Sequence, residues 1–190
     1  MNLFRTLGGG ALLLLAGVGL NGCLNPPSFP VEPSIDFKEI RLTKRPRVGG
    51  QVEIDTLNFV LNFQDGDGDL GLSADDIKLA PYNGTTGGHN NRGYSYNYFI
   101  QPFIKDASGN FVPFVNSGSF RGEYDGRYPR LDGAETKPAP LKGDLRYKFP
   151  ITLDNTPFRA GQVVRFEISI LDRGLHESNK ITTSEYTLGQ

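Results

Sequence analysis

Of the 190 residues one is cysteine, one methionine and two are histidine, and there is no tryptophan. A single cysteine, Cys23, excludes an internal disulfide, so the fold rests on packing, with a metal as the one other staple available. The two histidines exclude a zinc centre of the usual kind. His89 lies in a Gly/Asn loop and His176 in a late turn, and neither has a His, Cys or Glu at zinc-ligand spacing. No G-x-S-x-G nucleophile elbow occurs. Charge of one sign is missing too: 20 Lys and Arg against 21 Asp and Glu leave a net charge of −1, with no basic stripe for nucleic acid. There are no alanine-rich helical runs and no repeat period, which argues against bundles, solenoids and propellers. What is plentiful is glycine (24), proline (13), phenylalanine (13) and tyrosine (8), a balance that favours strands and turns.

The most unusual stretch is Asp65-Gly66-Asp67-Gly68-Asp69-Leu70-Gly71-Leu72. Three carboxylates at alternate positions repel one another unless a cation neutralises them. The intervening glycines let the backbone turn tightly enough for several oxygens to face one point, as hard divalent ions, calcium above all, require. Asp76 falls where the last ligand of a twelve-residue EF-hand loop would be. However, the sixth position is Leu70 where that loop needs glycine, the last ligand should be glutamate, and flanking helices are missing. The expectation is an irregular Asp-x-Asp-x-Asp calcium loop, against the plainer alternative of a solvated acidic turn. Asp75 and Asp76 invite a glycosidase reading, but adjacent aspartates more often cap a helical turn, and the chain is read as non-catalytic.

The beginning of the chain reads as an address. Residues 1–22 combine Arg5, an apolar run over 11–20 and small residues, a pattern too short for a membrane span. Leu20-Asn21-Gly22-Cys23 resembles a bacterial lipobox, with Asn21 a slight departure. The resemblance implies cleavage before Cys23, diacylglycerol and a further acyl chain such as palmitate on that residue, and hence a stable membrane anchor. By the same analogy Leu24 in place of aspartate argues against inner-membrane retention. The acidic run of a surface-export tether is absent, which points to the periplasmic face of the outer membrane. Residues 23–33, with Pro26, Pro27, Pro30 and Pro33, form an extended spacer.

Residues 34–190 carry the domain. Leu57, Phe59, Leu61 and Phe63 alternate with polar or smaller residues and run directly into Asp65. Leu145, Tyr147, Phe149, Ile151 and Leu153 alternate likewise, as do Val164, Phe166, Ile168 and Ile170. Weaker strands are expected over 34–42, 94–104, 111–115 and 181–188. A loop free of core residues is expected over 83–93, and a long irregular surface connection over 117–143. About seven short strands with polar turns predict a two-sheet antiparallel β-sandwich. Tyr94, Tyr96, Tyr98 and Phe99 offer a stacking surface for a glycan or peptide, or simply a strand packed on both faces; the lack of tryptophan weakens the glycan reading.

Residues 161–179, a glycine turn feeding a strand, then Asp172-Arg173 and a loop ending in Ser178-Asn179, resemble the end of bacterial immunoglobulin-like domains. Cys23, the proline spacer, Phe63 to Gly71, Lys142-Gly143-Asp144-Leu145-Arg146-Tyr147 and Asp172-Arg173 together resemble a group of Bacteroidetes-type lipoproteins with no assigned activity. The resemblance implies an all-β, immunoglobulin-like sandwich behind a signal peptide and tether. In such a sandwich the loop after the second strand and the loop before the last lie at one end. Asp65, Asp67 and Asp69, with Asp172 as a fourth ligand and Asp76 completing the shell, are therefore expected to surround one calcium ion. Two roles stay open: a membrane-anchored structural or interaction module, or a glycan- or peptide-binding accessory protein of an outer-membrane uptake system.

Overall fold

The computed structural model describes residues 28–115, 120–132 and 137–190. The signal-like segment 1–22, Cys23 and prolines 26 and 27 lie outside the described residues. Among the described residues eight strands occur in chain order: β1 (Ser34–Arg45), β2 (Ile54–Asp65), β3 (Tyr98–Lys105), β4 (Phe111–Pro113), β5 (Leu141–Thr152), β6 (Val163–Ile170), β7 (Ile181–Thr182) and β8 (Tyr186–Thr187). All pairings are antiparallel. One sheet has the order β1-β2-β5; the other has β4-β3-β6-β7, with β8 also on β6. This is the all-β two-sheet sandwich that the period-two alternation demands, because a strand with one apolar face can bury it only against another sheet. No helix among the described residues is long and apolar enough to cross a membrane.

The inner rows close over each other. Leu57, Phe59, Leu61 and Phe63 of β2, with Leu145, Phe149 and Ile151 of β5, face Tyr98 and Ile100 of β3 and Val164, Phe166, Ile168 and Ile170 of β6. Phe166 lies at the centre, edge-on to Phe59 with ring centroids 4.9 Å apart and to Phe149 at 5.5 Å. Such edge-to-face aromatic pairs add about 0.5–1.5 kcal/mol beyond the area they bury.

Two elements differ from the sequence expectation. The closing strand is split into β7 and β8, because the Thr183 hydroxyl takes the Phe166 N–H at 3.0 Å, so a side chain interrupts the backbone ladder. The 83–93 segment adds no residue to the apolar core, as expected, yet it is seated on the domain: His89 stacks on Phe99 with centroids 4.0 Å apart, and Arg92 lies over Tyr96. The long connection before β5 is also more than surface cover. Tyr128 is buried against Tyr98, Tyr124 packs edge-on to Phe149, and Gly126 bridges to Tyr98. It closes the flank of the sandwich left open where β5 has no further strand beside it.

Register places the chain ends. Ser34 pairs with Gln64, and Asp65 pairs with Leu141, so β1 enters, β2 leaves and β5 enters at one end. Tyr98 pairs with Ile170, so β3 enters and β6 leaves there too.

Candidate metal centre

Strand parity builds this site. The inward row of β2 runs Asp55, Leu57, Phe59, Leu61, Phe63, Asp65, with an aspartate at each end. The inward row of β6 runs Val164, Phe166, Ile168, Ile170 and continues, one pair beyond the strand, to Asp172. Two facing sheets thus each end an apolar row in a carboxylate at the same end of the sandwich. Asp65 is fully buried and Asp172 is 3% exposed.

The loop after β2 adds Asp69. One carboxylate oxygen from each of Asp65, Asp69 and Asp172 lies within 4.8 Å of the others. That is the spread one calcium ion spans when it holds each oxygen at about 2.3–2.6 Å. An antiparallel bridge between Leu70 and Asp172 joins the two loops. Arg173 reinforces it, donating its backbone N–H to the Asp69 carbonyl and side chain, both at 3.3 Å. Gly68 sits at φ 71°, a left-handed conformation that glycine adopts without strain, and its bare face lies against the Ala139 carbonyl.

The polar bookkeeping of this cluster is incomplete. Neither carboxylate oxygen of Asp65, nor Oδ1 of Asp67, has a hydrogen-bond partner, although all three atoms are buried. Asp55, at the other end of the same strand face, is half satisfied: its Oδ2 accepts the Gly189 N–H at 2.7 Å, while its Oδ1 is buried without a partner. An ionised carboxylate taken out of water without a partner costs several kcal/mol. Accordingly, burial and then repulsion from Asp67 and Asp69 push the Asp65 carboxyl up to about 7. Asp69 is raised by burial and by Asp172, and Asp172 by burial against the opposing pull of His176. Burial leads each of these shifts, and a divalent cation coordinated by the same oxygens would act against it.

Of the five aspartates marked in the sequence, the structure brings Asp65, Asp69 and Asp172 together. Asp67 adjoins them, close enough to raise Asp65. Asp76 is a correction. Its carboxylate is held by Arg130 through two bonds of 2.7 and 2.6 Å and by the Ser73 N–H at 2.7 Å. The Ser73 Oγ in turn accepts the Asp76 N–H at 3.1 Å, so the pair braces the chain as it enters the short helical turn 76–78. The Arg130 guanidinium holds Asp76 well below the usual carboxylate range. A residue so fully engaged is a strut for the loop and not a ligand.

Sequence reasoning missed the other struts. Arg173 grips Asp132 at 3.1 and 2.7 Å and also donates to the Gly71 carbonyl at 3.1 Å. His176 donates its backbone N–H to Asp172 Oδ1 at 2.7 Å, and its Nδ1 lies 2.9 Å from Oδ2. The Tyr82 hydroxyl donates to the Arg173 carbonyl at 2.6 Å. Only the Asp172-to-His176 spacing is local. Asp132 and Tyr82 are 41 and 91 residues from Arg173, and neither position bears a pattern that marks it.

Comparisons with family models, with curated proteins and with solved structures find no match for this chain.

Proposed function

We propose that this protein is a non-catalytic module of the bacterial cell envelope, anchored by lipid at Cys23, whose sandwich is closed at one end by a calcium ion. The observation that carries the metal reading is Asp65, fully buried with both carboxylate oxygens unpartnered, in a cluster that Asp69 and Asp172 complete. Asp65, Asp69 and Asp172, with Asp67 beside them, supply the hard anionic oxygens. Backbone carbonyls and water are the usual remainder of a calcium shell of six to eight oxygens. The ion binds the loop after β2 to the loop after β6. The non-catalytic reading rests on the engagement of the candidate acids: Asp76 is locked to Arg130, Asp75 pairs with Lys78, and both histidines are stacked or paired. The anchor reading rests on the lipobox-like stretch ending in the single cysteine of the chain.

Thermal melting of the purified protein in calcium, magnesium and chelator tests the metal. Calcium should raise Tm more than magnesium does, since magnesium demands tighter octahedral geometry. Identical curves in all three would leave an acidic turn and no site. Labelling cells with an alkyne fatty acid tests the anchor: Cys23→Ser should abolish the label and move the protein out of the membrane fraction. An unlabelled, soluble wild type would refute it.

A further inference from the structure

The end of the sandwich that carries the carboxylates is also where the N-terminal segment reaches the domain. Residues 28–33 run over that end before β1 begins. At Gly66, between Asp65 and Asp67, a Cβ would sit well inside van der Waals contact of the Phe29 and Pro30 carbonyl oxygens. The backbone of the segment thus lies directly on the backbone of the acidic loop, at a place that only glycine leaves open. A few residues on, the Asn179 side chain clamps the start of β1. Its Oδ1 accepts the Ile35 N–H at 2.9 Å, and its Nδ2 donates to the Ile35 carbonyl at 2.8 Å. Pro33 and Ile35 are buried there. Asn179 belongs to the loop after β6, the one that carries Asp172.

The N-terminal segment therefore rests on both carboxylate-bearing loops at once. We propose that these loops form a seat for the chain's own residues 29–35 and that calcium gates it, an inference that rests on the calcium reading above. With the ion bound, the two loops are drawn together and the floor under Phe29 and Pro30 is built. With the ion removed, the buried carboxylates of Asp65, Asp69 and Asp172 repel, the loops part, and the seat is lost. The segment then leaves the domain as a free arm hinged at β1.

Amide hydrogen exchange of residues 29–35, read by mass spectrometry, reports on the seat, where the Ile35 N–H is held by Asn179 Oδ1, and melting reports on the ion. Both are read on the full-length protein in detergent, with calcium chloride, magnesium chloride or EDTA. Calcium should slow exchange in this segment by at least about tenfold relative to EDTA, and magnesium by much less. Asn179→Ala, which removes the clamp on Ile35 without touching the acidic loop, should make exchange as fast in calcium as in EDTA while keeping the calcium-dependent rise in Tm. A calcium-dependent rise in wild-type Tm with no change in exchange overturns the seat and leaves the ion. No calcium effect on either readout overturns both.

Discussion

Asp65→Asn separates the two things a buried acidic cluster can be. In the wild type without metal, Asp65 ionises at about 7, against about 3.9 in an unfolded chain. Holding it ionised at pH 8 therefore costs the folded state at most about 4 kcal/mol, at ~1.4 kcal/mol for each pH unit. Asparagine removes that charge but leaves an amide with no partner in the same dry position, a loss of about 1–3 kcal/mol. In chelator at pH 8 the variant should thus be as stable as the wild type or up to about 3 kcal/mol more so. At pH 5, where wild-type Asp65 is already protonated, the gain should be gone. In calcium the comparison is of increments. At a concentration ~100 times Kd, an ion that binds only the folded state adds about 2.7 kcal/mol. For a domain of this size that is roughly 5–11 °C in Tm, at 2–4 °C per kcal/mol. The wild type should show that increment, and the variant, having lost its most buried anionic ligand, almost none of it. Urea denaturation with calcium and with EDTA, at both pH values, measures all four quantities. If Asp65→Asn is destabilised by the same amount in calcium and in EDTA, the carboxylate serves as a structural polar group and the cation argument fails.

The pH dependence of the wild type in EDTA should run opposite to that of most proteins. A carboxyl whose folded value lies above its unfolded value binds more protons when folded, so stability should fall as pH rises from about 4 to 7 and then level off; a curve rising through that window would contradict the burial of Asp65. Asp76→Asn should cost about 1–3 kcal/mol by breaking the Arg130 pair while leaving the calcium increment unchanged. Loss of the increment in a folded Asp76→Asn protein would restore Asp76 as a ligand. Below pH 4 the Asp76 pair should itself weaken, because a carboxyl held low when folded loses its stabilising effect as it protonates. Phe166→Ala should cost about 3–5 kcal/mol, measured by urea denaturation, since that ring is fully buried between Phe59 and Phe149; a cost under about 1 kcal/mol would mean the two sheets do not close there.

Much of the sandwich could be read from alternation, and the reason is local. A strand buried on one face must place apolar residues at every second position, and β2, β5 and β6 do so over runs long enough to be unmistakable. The same parity already held more than it was used for. Asp65 falls on the apolar phase of β2 and Asp172 on that of β6, so both were marked as inward-facing by the spacing that marked Phe63 and Ile170. What parity cannot do is say how far a loop carries its side chains. Asp76 had suitable chemistry and loop spacing, yet Arg130, 54 residues later, holds its carboxylate in a two-bond pair. The short β7 and β8 failed to stand out for a similar reason: their pairing with β6 is interrupted by one threonine hydroxyl, an event set by the neighbouring strand.

By itself the sequence determined the class of fold and the acidic loop with its glycines, because each depends on residue types at short, regular separations. Tertiary structure alone decided which aspartates meet. It set Asp69 beside Asp65 and Asp172, paired Asp76 with Arg130 and Asp132 with Arg173, and laid Phe29 and Pro30 across Gly66. Those contacts join segments tens of residues apart, and they follow from the register between β1, β2, β5 and β6 and from the closure of one sheet over the other. Hydrophobic periodicity sets which face of a strand is buried. Where the ends of different strands converge is a property of the assembled sheets.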